Sequence, residues 1–193
     1  HPGKGANGRL QRAAEANQKG LDISTEAYDL NARTEIHIVE ASYELLKKHS
    51  PKAALAIVKS FTDRAKTMDP SDFQPYALQG KADLIKAKWD GSSANIAIVS
   101  AQQNLKKAIE LNSLDALNYV LLAESQLLEQ KNIDEGLQNI DMALKLNPQL
   151  GDAYAIQGLL LMTKGDRDAG NSAIHKALTL NKNLAYLYGE RRL

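Results

Sequence analysis

The sequence predicts an all-α protein, an α-α superhelix of about four helical hairpins plus a terminal helix. Three observations carry that expectation. Strand signals are nearly absent, with no sustained apolar/polar alternation and no Asn-Gly turn between β-branched runs. Long amphipathic stretches dominate and are split by short breaks rich in Gly, Pro, Ser and Asp. One phrase, Ala-[Ile/Leu]-x-Leu-Asn, occurs three times, in "KKAIELNSLDALNYV", "MALKLNPQLGDAYAIQG" and "KALTLNKNLAYLYG". Its alanines are Ala108, Ala143 and Ala177, spaced 35 and 34 apart, and a fainter copy, "DRAKTMDPSDFQPYALQG", puts Ala65 in the same slot 43 residues earlier. A period of this size marks stacked supersecondary units, because one hairpin cannot bury its apolar face alone.

The elements follow in order. Residues 1–24 read as a flexible lead ("HPGKGANG") and a short helix over Arg9–Lys19, ended at Gly20. A long helix is expected from about Thr25 to Lys48, with Ile36, Val39, Tyr43 and Leu46 recurring at steps of three and four. Ser50 can cap the next helix, and Pro51 suits its first position because it has no N–H to lose. That helix stops at Asp69-Pro70, which closes the first hairpin, 25–70. Phe73–Trp89 and Ala94–Leu111 form the second, 71–112, joined through the turn chemistry of "DGSSA". Leu114–Gln130 and Ile133–Leu146 form the third, 113–148, with Asn132 and Glu135 spaced as a capping box. Asp152–Lys164 and Arg167–Leu180 form the fourth, 149–182, turning at Gly165-Asp166, and a lone helix is expected within 183–193.

The repeated phrase has a physical reading. Small residues at Ala65, Ala108, Ala143 and Ala177 let second helices lie close to their neighbours, and the Leu or Met that follows fills space beneath. Pro70 and Pro148 end helices by lacking an N–H and by biasing the preceding residue away from the α region. Gly80 and Gly158 stand mid-way along first helices, where glycine costs about 1 kcal/mol relative to alanine. Close helix crossing is the justification for them.

The best copy, "GDAYAIQGLLLMTKGDRDAGNSAIHKALTLN", carries Tyr154, Gly158, Leu161, Gly165, Ala177, Leu178 and Leu180, and it resembles a tetratricopeptide repeat (TPR). The preceding copy fits at its second helix but has Glu124 and Gly136 where the family has a small residue and alanine, and its first helix reads as slipped by one residue. The two earlier copies keep only the closing phrase and Gly80. The resemblance covers Leu105–Leu180 strongly and extends back to Thr25. A narrower one rests on Ala87-Lys88-Trp89 and the alternation of long first helices with Ala-Leu-x-Leu-Asn-Pro endings. In these the chain is similar to the TPR region that follows the catalytic domain in some large bacterial serine/threonine protein kinases. That likeness implies a regulatory or docking segment of a signalling protein, without its catalytic part.

Composition bounds the function. Forty-four per cent hydrophobic and 24% charged residues suit a folded soluble domain, and a net charge of +1 offers no footprint for nucleic acid. No run reaches the roughly 18 apolar residues of a membrane helix. With no cysteine there is neither a disulfide framework nor a thiol catalyst, which suits the cytosol, the location expected, with a periplasmic one as the alternative. His1-Pro2 at the start and Arg191-Arg192-Leu193 at the end read as a piece of a longer protein, although a chain cleaved from its signal would also begin without Met.

No catalytic, cofactor or metal residues are expected. "GKG" at Gly3–Gly5 lacks the rest of a phosphate loop, and the kinase signatures are absent. His1, His37, His49 and His175 lack metal-ligand spacing and read as surface or boundary residues. Glu124 with Glu129, and Asp166 with Asp168, read as helix-face and cap residues. Trp89 reads as a helix-end packing anchor, not as a stacking platform with Tyr76. Lys106-Lys107 and Arg191-Arg192 are short solvated pairs.

What remains is binding. In the TPR family a concave wall of first helices grips an extended peptide or a partner helix. The family's inward slots, carried onto this chain, are Gln74, Ala77 and Lys81, then Asn118, Leu121 and Ser125, then Asp152, Ala155 and Leu159. Only Lys81 and Asn118 match the clamp for a C-terminal carboxylate, and Asp152 would repel it, so carboxylate-tail recognition is not expected. The alternative is a structural spacer or self-association scaffold, either a homo-oligomer through exposed repeat ends or a groove filled by the chain's own Arg9–Lys19 segment.

Overall fold

The structure is a computed structural model that describes residues 4–184; the expected terminal helix lies almost wholly outside them. Among the described residues eight α-helices follow one another: α1 (Lys4–Leu46), α2 (Lys52–Met68), α3 (Gln74–Asp90), α4 (Asn95–Leu111), α5 (Ala116–Glu129), α6 (Ile133–Leu146), α7 (Gly151–Lys164) and α8 (Arg167–Leu180). A 3-10 turn, Gly91–Ser93, joins α3 to α4. Each odd helix packs on the even helix after it, and α1–α3, α3–α5 and α5–α7 also touch. Odd helices therefore form one wall and even helices the other, the arrangement of an α-α superhelix. The 43-residue spacing from Ala65 to Ala108 has its cause here. Helices α3 and α4 have 17 residues each, whereas α5 to α8 have 14.

The repeated phrase closes four helices in one way. Asp69, Asn112, Asn147 and Asn181 are C-caps with φ of −137°, −143°, −141° and −147°, each donating its N–H to the carbonyl of the alanine four residues back, at 2.8–2.9 Å. Their side-chain Oδ1 atoms accept from the backbone N–H two residues on, at 3.0–3.1 Å, making four Asx turns. The Asn or Asp of the phrase thus stops one helix and aims the chain at the next. Three tyrosines, Tyr76, Tyr119 and Tyr154, then donate their hydroxyls back to the carbonyls of Pro70, Ser113 and Pro148. Ala65, Ala108, Ala143 and Ala177 are buried, while Met68, Leu111, Leu146 and Leu180 are only half-buried. At Gly80, a Cβ would lie 2.6 Å from Leu105 Cγ; at Gly158, 2.6 Å from Ile174 Cγ1 and 2.8 Å from the Gly170 carbonyl. Both first helices cross their partners too closely for any side chain.

Four local expectations are corrected. Gly20 does not end a helix: α1 is continuous through it, and nothing lies within 4 Å of its Cβ position, so a glycine there is simply tolerated. Pro51 is the N-cap of α2, not its first residue, and Ser50 Oγ reaches the Lys52 N–H only at 3.5 Å. The Asn132–Glu135 capping box does not form: Asn132 takes a left-handed φ of 53°, not the extended backbone of a capping residue, and its side chain makes no cap hydrogen bond. The buried face of α1 is Ala27, Leu30, Asn31, Thr34, Ile38 and Ala41, whereas Tyr28, Ile36, Val39, Tyr43 and Leu46 are 70%, 67%, 69%, 53% and 46% exposed. The helix carries two faces able to pack, and the smaller side chains face α2 and α3, where the backbones approach.

Candidate protein-binding groove

The odd helices bring five of the nine inward slots to one place. Gln74, Ala77, Lys81, Asn118 and Leu121 line a cavity of about 340 Å³, together with Glu35, Ile38 and Val39 of α1, Phe73, Leu78, and Asp115 and Leu117 at the start of α5. Lys81, Leu117 and Leu121 also line a neighbouring recess of about 370 Å³, where Asp152 joins Ser42, Leu45, Leu46, Leu84, Ile85, Lys88 and Glu124. The remaining slots lie elsewhere. Ser125 is buried and donates its hydroxyl to the Leu122 carbonyl at 2.6 Å. Ala155 is buried against Ala177 and Leu184. Leu159 faces a separate recess with Leu127, Leu128 and Met162.

Residues of α1 complete the wall and were not among the inward slots. The signal was present, since α1 is the first helix of the first hairpin and so belongs to the same wall. Its 43-residue length and lack of the family's motif residues hid the register. Arg9–Lys19 does not fold back into the groove: it belongs to the unbroken helix α1, which puts Lys19 about 24 Å along the helix from Glu35, at 1.5 Å per residue.

The groove's polar groups are unevenly satisfied. Asn118 is 1% exposed and its Nδ2 has no hydrogen-bond partner. A buried donor left unmade costs about 1–3 kcal/mol. Glu124, the departure from the family's small residue, is buried and paired with Lys88 at 2.7 Å. Burial holds the Asp152 carboxyl above its ordinary value, Glu124 adds to that shift, and Lys81 opposes it. With Lys88 and Glu124 paired, Glu35, Asp115 and Asp152 stand against Lys81, so the lining is apolar with an acidic balance.

A second polar cluster lies between α2, α3 and α4. Asp83 accepts from Gln79 Nε2 at 2.8 Å, Ser100 Oγ at 2.6 Å and Asn104 Nδ2 at 3.3 Å. Thr62 donates to Gln79 Oε1 and Lys66 to Asn104 Oδ1. Burial raises the Asp83 pKa despite these bonds and lowers that of Lys66. The named side chains satisfy one another, so this network fixes the register of three helices and leaves no group to react. Trp89 sits half-buried at the end of α3 in a recess with Leu55 and Ala56, apart from Tyr76, whose ring carries Lys66. His37 bonds Glu40 and packs edge-on against Phe61, and His49 bonds Glu44. Among the described residues no group of three metal-ligating side chains assembles, and no helix is long and apolar enough to cross a membrane.

Paired helices with a shared wall of first helices define a helical-repeat protein of TPR-like fold. A solved structure agrees: the chain is similar to the crystal structure of MamA, a TPR-containing protein, with a TM-score of 0.52 and 20% identity over 98% of this chain and 90% of that one. At that identity the likeness concerns the fold. No protein-family model matches the sequence.

Proposed function

We propose that the chain is a protein-interaction module whose groove, between α1, α3 and α5, receives an extended peptide or partner helix. The carrying observation is the convergence of Gln74, Ala77, Lys81, Asn118 and Leu121 on one largely apolar cavity. Apolar side chains of a ligand would cover Leu117 and Leu121 of its lining. The acidic balance favours a ligand bearing a basic side chain near Asp152. Asp152 itself belongs to the second recess of the same groove, whereas Ser125, Ala155 and Leu159 do not support contact with the same ligand. A place within a larger bacterial protein such as a serine/threonine kinase rests only on the sequence likeness at Ala87-Lys88-Trp89 and in the alternation of long first helices with Ala-Leu-x-Leu-Asn-Pro endings.

The test is selection from a displayed random-peptide library. Apolar peptides with a basic residue should be enriched on the wild type and lost on both Lys81→Glu/Asn118→Ala and Leu121→Glu, with helical circular dichroism unchanged. Failure to enrich any sequence, or binders indifferent to both variants, would refute the groove. A self-association scaffold is the second reading, favoured by the apolar stripe that α1 leaves exposed.

A further inference from the structure

The most apolar stripe of α1 is the one that its own fold leaves uncovered. Ala32, Ile36, Val39, Tyr43 and Leu46 follow steps of four and three, the spacing of a coiled-coil seam, and all five are exposed. We propose that this seam pairs antiparallel with α1 of a second copy of the chain. The inference rests on the self-association reading, and does not depend on a peptide binding in the groove.

Charge and shape select both the partner and its direction. In an antiparallel pair centred between Ile36 and Val39, these two residues face each other across the two-fold axis, Ala32 faces Tyr43, small against large, and Leu46 meets Asp29 at the exposed ends of the seam. The flanking positions on one side are Glu26, Arg33, Glu40 and Lys47. The same alignment puts Arg33 beside Glu40 of the other copy, twice by symmetry, and Lys47 beside Glu26. On the other side Glu35 meets Ser42, which is neutral. A parallel pair would put Asp29 on Asp29 in the seam and Glu35 beside Glu40, so it repels where the antiparallel pair attracts. Existing contacts of these charges are exposed ones that can be exchanged. Arg33 pairs with Asp29 at 2.9 Å on its own helix, Glu40 with His37 at 2.9 Å, and Lys47 lies over the Tyr43 ring. Glu26 is held by Arg64 of α2, which makes Arg33–Glu40 the deciding pair. Val39 and Leu46 also edge the groove, so the seam continues its rim.

Sedimentation velocity over a concentration series tests this on the full chain. The wild type should show a reversible monomer–dimer equilibrium. Arg33→Glu and Glu40→Arg should each weaken it roughly tenfold, because each swap makes two attractive pairs repulsive, and the double swap should restore it. Ile36→Glu, at an exposed position and so without cost to folding, should abolish it. A dimer indifferent to these changes leaves self-association standing and removes α1 as its seam. A dimer strengthened by Glu40→Arg is parallel and overturns the proposed direction. A strict monomer at every concentration overturns both the seam and the self-association reading.

Discussion

Gly158→Ala isolates what the repeat demands of a first helix. In isolation alanine is favoured over glycine within a helix by about 1 kcal/mol. Here the added Cβ would stand 2.6 Å from Ile174 Cγ1, 2.8 Å from Ile174 Cδ1 and 2.8 Å from the Gly170 carbonyl oxygen. Carbon contacts are optimal near 3.5–4.0 Å, so α7 and α8 must separate by most of an ångström, and the carbonyl belongs to a backbone that cannot rotate away. Overpacking of this kind costs about 1–3 kcal/mol, and more where backbone is struck, so the variant should lose about 1–2 kcal/mol net despite its better propensity. At roughly 2–4 °C per kcal/mol for a chain of this size, the melting temperature should fall by about 3–6 °C. Gly136→Ala is the control. Its Cβ meets the two Leu160 methyls at 3.2 Å and Gln126 Oε1 at 3.4 Å, all of them side-chain ends that can yield, so the change should be within about 0.5 kcal/mol of neutral. Thermal and urea denaturation followed by circular dichroism measure both. A Gly158→Ala variant as stable as the wild type, or a control that loses more, would refute close crossing as the reason for glycine.

Asn147→Ala removes the Oδ1 that accepts from the Gln149 N–H at 3.0 Å, and should cost about 1 kcal/mol by urea denaturation. Lys88→Ala leaves the buried Glu124 without its cation and should cost about 1–3 kcal/mol, part of which a second change, Glu124→Gln, should recover in the same assay. The folded pKa of Asp152 is raised, so the native state holds this proton more tightly than the unfolded chain does. Its contribution to stability is therefore present below the ordinary carboxylate pKa and lost as pH rises through the raised value. Asp152→Asn should flatten that part of the decline in a pH series of urea midpoints; an unchanged slope would show that the carboxyl is not desolvated in the fold. In isothermal calorimetry, an acidic peptide with a free C-terminus should bind no better than its amidated form, because Asp152 shares the Lys81 recess.

The hairpins were legible because their punctuation is local. A cap at Asn112, Asn147 or Asn181 is settled by an alanine carbonyl four residues behind and an N–H two residues ahead, all within one stretch of sequence. The matching tyrosine comes seven residues after the cap and also follows Asn181, at Tyr188, so the same signal could have set the register of the weaker copies. Gly80 and Gly158 were legible for the opposite reason, since a glycine inside a strong helical pattern needs a neighbour to explain it. The groove was half legible. Gln74, Ala77, Lys81, Asn118 and Leu121 fell together, but Ser125 turned back onto the Leu122 carbonyl of its own helix, Ala155 was buried against Ala177 and Leu184, and the α1 wall carried no motif. What the sequence could not decide was the face of α1. Periodicity ranks stripes by hydrophobicity, and by that measure Ile36, Val39, Tyr43 and Leu46 win. Burial follows the closeness of backbones, which favours Ala27, Thr34 and Ala41 on the side of α2 and α3. The stripe of larger side chains, left over by that choice, is then the surface with most to gain from a partner.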